Sequence, residues 1–483
     1  MTATATQDAR ARPSAPAPGP DATAPRRGRR RLAWAVVVAL YLATALWSFD
    51  LRASQPRDAY VELYLDGVHV RADGAVDAVP AHQPARYLPD SRVLADAAGD
   101  PDAEAVAERH RSWLAAGTVP GRGTEYEQLV RDALLDMHVL TGATSTEGAT
   151  SAPGASVAGW SPRWRYVWPR DSSFVAAALA ATGHPEDATE VLAFVQDMQS
   201  ADGAFQARYL PDGSGVPDSR GIQLDGNGWV LWSTAAVLQA LADDAERAAT
   251  FERLRPLVDA STDHILALTD SPEHLPPPSS DYWEVRERHL TLGTVGPLLA
   301  GLEAAAEIYA GADLPDRAEA AATRATQVRG AVARTFRPAG YTRYAGAGGP
   351  LSGRYNGEGR DAATAFLLPP FVEEPLPGAA SAWLSSGPEM ARAGGGLAPG
   401  AGWKQDGISW TPETTLYAVT AAHNGRPEQA RRWLDWVQAH RTGSGAIPEK
   451  VLSSGGPAAV APLTWSGANV VLAVAELEAA GEL

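Results

Sequence analysis

The sequence predicts an all-α domain, a closed toroid of helical hairpins, preceded by one transmembrane helix and a short β-hairpin segment. Three observations predict it. From about residue 103 to the C-terminus, apolar residues recur at helical spacing. One charge-free apolar run, residues 32–49, lies directly behind a cluster of arginines. One stretch, residues 58–73, alternates apolar and polar and carries a turn signal.

In chain order, residues 1–25 are rich in Ala, Pro, Thr and Asp and have no apolar period. With the arginine cluster Arg26, Arg27, Arg29, Arg30 and Arg31, they predict a disordered, basic cytoplasmic tail over 1–31. The run LAWAVVVALYLATALWSF at 32–49 is about the minimum length for a spanning helix. Arginines at its entrance predict a single-pass anchor in the cell membrane with the body outside. A cleaved signal peptide, with a secreted body, is the competing reading, from Ala43-Thr44-Ala45 and the paired arginines. Residues 50–102 read as a linker, with a hairpin turning at Asp66-Gly67. Residues 143–158, of Gly, Ala, Ser and Thr, read as a loop.

Helices are expected at 103–115, 125–140, 171–182, 186–199, 229–243, 246–268, 291–310, 314–336, 411–423, 427–440 and 465–481. Glycines such as Gly183 and Gly425 fall where helices should end. Helix number alone suits an irregular bundle as well as a toroid. The loops decide, because they hold the unusual residues.

Composition narrows the chemistry. The 483 residues carry a net charge of −16. Seven Arg and two Asp make residues 1–31 net +5, so the rest of the chain stands at −21. A body that acidic is a poor match for nucleic acid. With no cysteine, disulfides, thiolate metal sites and a Cys nucleophile are excluded. The ten histidines show no metal-ligand spacing, and neither a phosphate-binding Gly loop with Lys nor a G-x-S-x-G elbow is present. No cofactor is expected.

Tryptophan is abundant, fifteen in all, and Trp160, Trp164, Trp168, Trp229, Trp283, Trp403, Trp410 and Trp465 fall near loop–helix junctions. An aromatic face packs on the C–H face of a pyranose while its edge leaves hydroxyls free to hydrogen-bond. Core packing is the competing role, and it suits Trp433 and Trp436 inside a helix. At 164–171, WRYVWPRD sets two Trp, a Tyr, an Arg and Asp171 at one helix start. Asp171 can be a plain N-cap, or Arg and Asp can bracket neighbouring sugar hydroxyls. Glu284, in SDYWEVR at 280–286, and Glu449, in GAIPEK at 445–450, are loop carboxyls beside aromatics. Burial there would favour a protonated acid.

Taken in order, W-x-Y-x-W-P-R-D, Gln223-Leu224-Asp225-Gly226, D-Y-W-E-V-R, and G-x-x-P-E-K followed by Leu463-Thr464-Trp465-Ser466 resemble glycoside hydrolase family 15. That is the glucoamylase, glucodextranase and trehalase-like family, and the W-E-V-R form is similar to its bacterial members. The resemblance covers roughly residues 120–483. It implies an (α/α)6 barrel over 103–483 that releases terminal glucose from α-glucosidic substrates with inversion. By the same resemblance Glu284 is the general acid and Glu449 the general base. Tyr166, Trp168, Arg170 and Asp171 form the terminal-sugar pocket, with Asp225, Trp229, Trp283, Arg286 and Trp410 as further substrate-binding positions. The chain departs from many fungal members at Val285, where they carry a second acid. Lys404-Gln405-Asp406 stands in for the family's arginine loop. The implied partner is a carbohydrate and not nucleic acid, met by a monomer held at the membrane. Two other readings stay open: an enzyme of the same barrel with different sugar specificity, and a surface-anchored sugar-binding protein with a decayed site.

Overall fold

The computed structural model describes residues 59–142, 151–345 and 359–483. The expected tail, the expected transmembrane helix and the first half of the 143–158 loop lie outside these residues. Among the described residues no helix is long and apolar enough to cross a membrane.

The described elements begin with strands β1 (Leu65–Val70) and β2 (Val76–Pro80). Helices α1 (Pro101–Ala116), α2 (Glu127–Val139), α3 (Pro169–Ala181), α4 (Pro185–Met198), α5 (Asp225–Ala240) and α6 (Asp244–Leu268) follow. Next come α7 (Leu292–Gly311), α8 (Pro315–Phe336), a 3-10 segment Ala362–Leu367 and α9 (Ala379–Met390). The chain ends with β3 (Ser409–Trp410), α10 (Thr411–His423), α11 (Pro427–Ala439), β4 (Lys450–Val451), β5 (Pro457–Ala458) and α12 (Thr464–Ala479). Proline opens α1, α3, α4, α8 and α11, where its missing N–H costs nothing.

Packing arranges these into a closed double ring. The inner ring runs α3, α5, α7, the 3-10 segment, α10 and α12, and α12 packs back on α3. Each inner member pairs with an outer helix: α4, α6, α8, α9, α11 and, for α12, α2. Sequence chemistry separates the rings. Inner α5 is buried without a break from Asp225 to Ala235. Outer α11 buries only Ala430, Trp433, Leu434 and Val437, one stripe at helical spacing. The closest inner contact is between α5 and α7. There Gly228 meets Pro297 and Gly301, so a Cβ on Gly228 would lie 1.9 Å from the Pro297 carbonyl oxygen.

Three expectations are corrected. Helix α9 is present though unpredicted, because Ser385-Ser386-Gly387-Pro388 breaks its helical pattern. Helix α5 begins at Asp225, not 229, since Gly226 and Gly228 are used for close packing and not for a loop. The hairpin turns at Ala72–Gly74, not at Asp66-Gly67, which lie within β1 at a register irregularity. A Cβ on Gly67 would meet the Tyr87 hydroxyl at 2.9 Å and Ser444 Cβ at 3.2 Å, so glycine serves a close approach there.

That approach gives the hairpin a place in the domain. The described residues from 59 onward belong to one compact unit. The Asp66 carboxylate accepts from Ser444 N at 2.7 Å, and Thr442 Oγ1 donates to the Asp66 carbonyl at 2.5 Å. Tyr64 N and Ala459 N bond the carbonyls of Ala459 and Glu62, both at 2.8 Å. The N-terminal stretch therefore braces both ends of the loop that holds Glu449.

Candidate active site

The segments that lead into the inner helices converge on one mouth of the ring. Residues 158–171 lead into α3, 203–225 into α5, 279–291 into α7, 397–413 into α10 and 441–465 into α12. Together they enclose a cavity of about 330 Å³. Glu284, Glu449, Trp168, Arg170, Asp171, Trp283 and Trp410 line it, as the sequence led us to expect. Larger hollows of about 840 and 960 Å³ lie at the C-terminal ends of α5 and α7 and of the inner ring, away from these residues.

Glu284 sits on a turn held by its own backbone. Its N–H donates to the Asp281 carbonyl at 2.7 Å, and it adopts φ of +53°. A non-glycine residue in that region is strained and is kept there by its surroundings. Behind the turn, Arg343 pairs with Asp281 at 2.9 Å, Asp361 at 2.7 Å and Glu287 at 2.7 Å. Its guanidinium also lies 3.8 Å from the Trp283 ring centroid. Arg343, Asp281 and Asp361 are fully buried. Burial pushes the Asp361 carboxyl up to about 6, against the pull of Arg343.

Arg170 joins the walls. It is buried, stacks over Trp465 at 4.9 Å, and lies 3.2 Å from Asp171, 3.5 Å from Asp225 and 3.4 Å from Glu284. Burial raises the carboxyls of Asp171 and Asp225, the latter to about 6, and Arg170 opposes both shifts. The other oxygen of Glu284 contacts Arg220, a half-exposed residue that also lies 3.6 Å from Asp218. Glu449 is buried, and its Oε1 accepts from Trp164 Nε1 at 3.3 Å. Its Oε2 forms an ion pair with Lys450 Nζ at 3.1 Å, and that ammonium covers the Trp410 ring at 4.1 Å.

Four expected pocket residues do not line the cavity. Trp229 is fully buried in an aromatic core with Phe174, Trp232, Phe366 and Phe371. Its place is structural because α5 is surrounded on every side. Tyr166 lies beneath Arg208, whose guanidinium is 4.4 Å from the Tyr166 ring and takes the cavity face instead. Asp225 is buried one layer back and acts through Arg170. Arg286 is exposed beyond the turn at Glu284. Lys404, of the expected arginine-loop stand-in, also lies outside the cavity, with its ammonium 5.6 Å from the Trp403 ring. Sequence reasoning missed Trp164, Arg208, Arg220, Glu413 and Lys450 as lining residues. Trp164 and Lys450 sit inside motifs that were noticed. The others are single charged residues with no local pattern.

The lining is aromatic and polar at once. Trp168 Nε1, Trp410 Nε1, Glu413 Oε2 and Trp465 Nε1 are buried with no hydrogen-bond partner, while Asp171 Oδ2 and Glu449 Oε2 face the Arg170 and Lys450 cations at 3.2 and 3.1 Å. A set of donors and acceptors on aromatic walls matches a ring that carries several hydroxyls. Among the described residues no group of His, Asp and Glu is arranged to hold a metal ion.

No family model matches the chain, and no curated protein matches it. Solved structures do. A wild-type glycosidase aligns at 21% identity and a TM-score of 0.56, over 73% of this chain and 96% of that one. Glucoamylase from Saccharomycopsis fibuligera aligns at 14% identity and a TM-score of 0.58, over 74% and 95%. A bacterial glucoamylase complexed with acarbose aligns at 16% identity and a TM-score of 0.58, over 77% and 58%. The double ring of this chain is therefore the (α/α)6 fold seen in glucoamylases and related glycosidases.

Proposed function

We propose that this protein is a glycoside hydrolase that releases terminal glucose from α-glucosidic oligo- or polysaccharides with inversion. One observation carries the reading. Two loop carboxyls, Glu284 and Glu449, line a single aromatic cavity in which Glu413 Oε2 and the indole N–H groups of Trp168, Trp410 and Trp465 lack partners. Glu284 protonates the glycosidic oxygen, and Glu449 takes a proton from the attacking water. Inversion requires the two carboxyls to be about 6.5–9.5 Å apart, leaving room for that water. Trp164 holds one oxygen of Glu449 and Lys450 pairs with the other, which orients the carboxylate from both sides. Arg170 orients Glu284 and Asp171 together, which ties the acid to the sugar-binding wall. The fold shared with glucoamylases supports the choice of substrate class.

The test is proton NMR of the first sugar released from maltose, isomaltose, trehalose and soluble starch. Wild type is expected to give β-glucose from one of them. Glu284→Gln and Glu449→Gln are each expected to lose about 10²–10⁴-fold in rate. Initial release of α-glucose, or full activity in either variant, refutes the mechanism.

A second reading rests on the contact of Arg220 with Glu284. If substrate does not displace Arg220, the site binds sugar without cleaving it. Sugar binding with no product from any of the four substrates selects that reading. For the residues at 32–49, we propose a membrane anchor with the domain outside, supported by the charge-free run behind five arginines. Release of the full chain from membranes by a carbonate wash counts against it.

A further inference from the structure

Glu413 is a third carboxyl on the cavity wall, and neither the acid nor the base role uses it. It occupies the third position of α10. A glutamate there ordinarily closes a capping box by accepting from the backbone N–H of the residue before the helix. That N–H belongs to Trp410, and it already donates to the Leu397 carbonyl at 2.7 Å. The side chain is free of that duty. It is only 3% exposed, lines the cavity, and its Oε2 has no hydrogen-bond partner.

The groups around it are Arg170 from α3, Tyr282 from the segment before α7, and Glu449 and Lys450 from the loop before α12. Burial raises the Glu413 carboxyl most, its own backbone N–H opposes the rise, the negative Glu449 adds to it, and Arg170 and Lys450 oppose it, leaving it at about 8. Its burial thus favours the neutral carboxylic acid, which has one O–H to give. The cavity otherwise offers acceptors in Asp171 and Glu449, and donors in tryptophan N–H groups and in arginine and lysine cations already paired with carboxylates. An uncharged, rotatable O–H donor with no partner in the protein is a distinct kind of contact.

We infer that Glu413 is a specificity-determining residue that donates its carboxyl O–H to a hydroxyl oxygen of the sugar bound against Glu449. The inference rests on the proposed glucosidase reading for the sugar's identity. Ionisation of Glu413 removes the donor and places a second negative charge beside Glu449. Sugar binding should therefore weaken as pH rises through the Glu413 titration.

The experiment uses D-glucose as the probe, with binding read by tryptophan fluorescence from pH 6 to 10, in wild type, Glu413→Gln and Glu413→Leu. Gln keeps a donor but cannot ionise, and Leu keeps the volume without a donor. Wild type is expected to lose affinity by up to about tenfold per pH unit above the titration, one proton taken up per binding event. Glu413→Gln should bind within about threefold of wild type at pH 7 and show no alkaline loss. Glu413→Leu should bind at least about tenfold more weakly, consistent with one lost hydrogen bond of ordinary strength, while its circular dichroism stays native. Infrared difference spectra of wild type against Glu413→Gln should show a neutral carboxyl band at pH 7. An alkaline loss that persists in Glu413→Gln, equal weakening in Gln and Leu, or absence of that band overturns the inference. Failure of the glucosidase reading shows separately, as glucose binding without release of glucose from the four α-linked substrates.

Discussion

Gly228→Ala is expected to destabilise the fold by about 3 kcal/mol or more. The new Cβ would lie 1.9 Å from the Pro297 carbonyl oxygen and 2.2 Å from its carbon, where ordinary contact begins at 3.4 Å. Helices α5 and α7 must part by roughly 1.5 Å to admit it, a shift comparable to a sixth of the usual interaxial distance. Overpacking usually costs about 1–3 kcal/mol. Here backbone meets backbone, with no side chain to rotate away, so the upper end applies. The better helix propensity of alanine returns only about 1 kcal/mol. The control is Gly311→Ala at the end of α7, where no atom lies within 4 Å of the added Cβ. That change should be neutral or stabilise by up to about 1 kcal/mol. Urea unfolding followed by tryptophan fluorescence and circular dichroism measures both. Asp225 stands one helical turn before Gly228, so sugar binding should weaken along with stability. A Gly228→Ala protein within roughly 0.5 kcal/mol of wild type, a margin typical of neutral surface changes, would refute the close-approach argument.

Three further outcomes follow from the same geometry. Arg343→Met should cost about 3–5 kcal/mol, because Asp281 and Asp361 are left buried without their cation; urea unfolding reads the loss, and any activity should fall too, since Asp281 holds the turn at Glu284. Trp164→Phe removes the hydrogen bond to Glu449 and should lower kcat by about tenfold with little change in KM, the mark of an oriented base. Acid should weaken the fold through His110 and His138, which burial lowers from 6.5 to about 4 each. Between those values the unfolded chain binds the protons and the folded chain does not, so stability is full above pH 6.5 and falls as pH drops toward 4. The loss is about 2–3 kcal/mol per histidine, and His138→Phe, which keeps the stack on Trp113, should flatten the slope of unfolding free energy against pH.

Much of the ring and part of the site were legible in the sequence. The long helices showed because outer members such as α11 carry a clear apolar stripe and several open with proline. Glu284, Glu449, Trp168, Arg170 and Asp171 showed because each sits in a dense cluster of aromatics and charge at a loop–helix junction. What failed to show depends on contacts far along the chain. Trp229 reads like its neighbours in the motif, and only the surrounding of α5 by Phe174, Phe366 and Phe371 sends it to the core. Glu413 reads as a helix-cap residue until the Trp410 N–H is found engaged elsewhere. The sixth inner member is a 3-10 segment of six residues, too short to leave a periodic signal. Glycines that permit close helix packing at 226 and 228 look, in a linear reading, like a loop.

Closure of the ring also sets an order of events during synthesis. Of the ring's helices α12 is made last, yet it seals the seam between α10 and α3, and Thr464 N bonds the Ala158 carbonyl made some three hundred residues earlier. Until α12 leaves the ribosome, the apolar faces of α2, α3 and α10 that it covers stay exposed. A nascent chain in that state is sticky and must be held by its cellular handlers. Loss of α12 should therefore yield aggregated protein and not a slow enzyme, because no other helix closes the ring between α10 and α3 among the described residues.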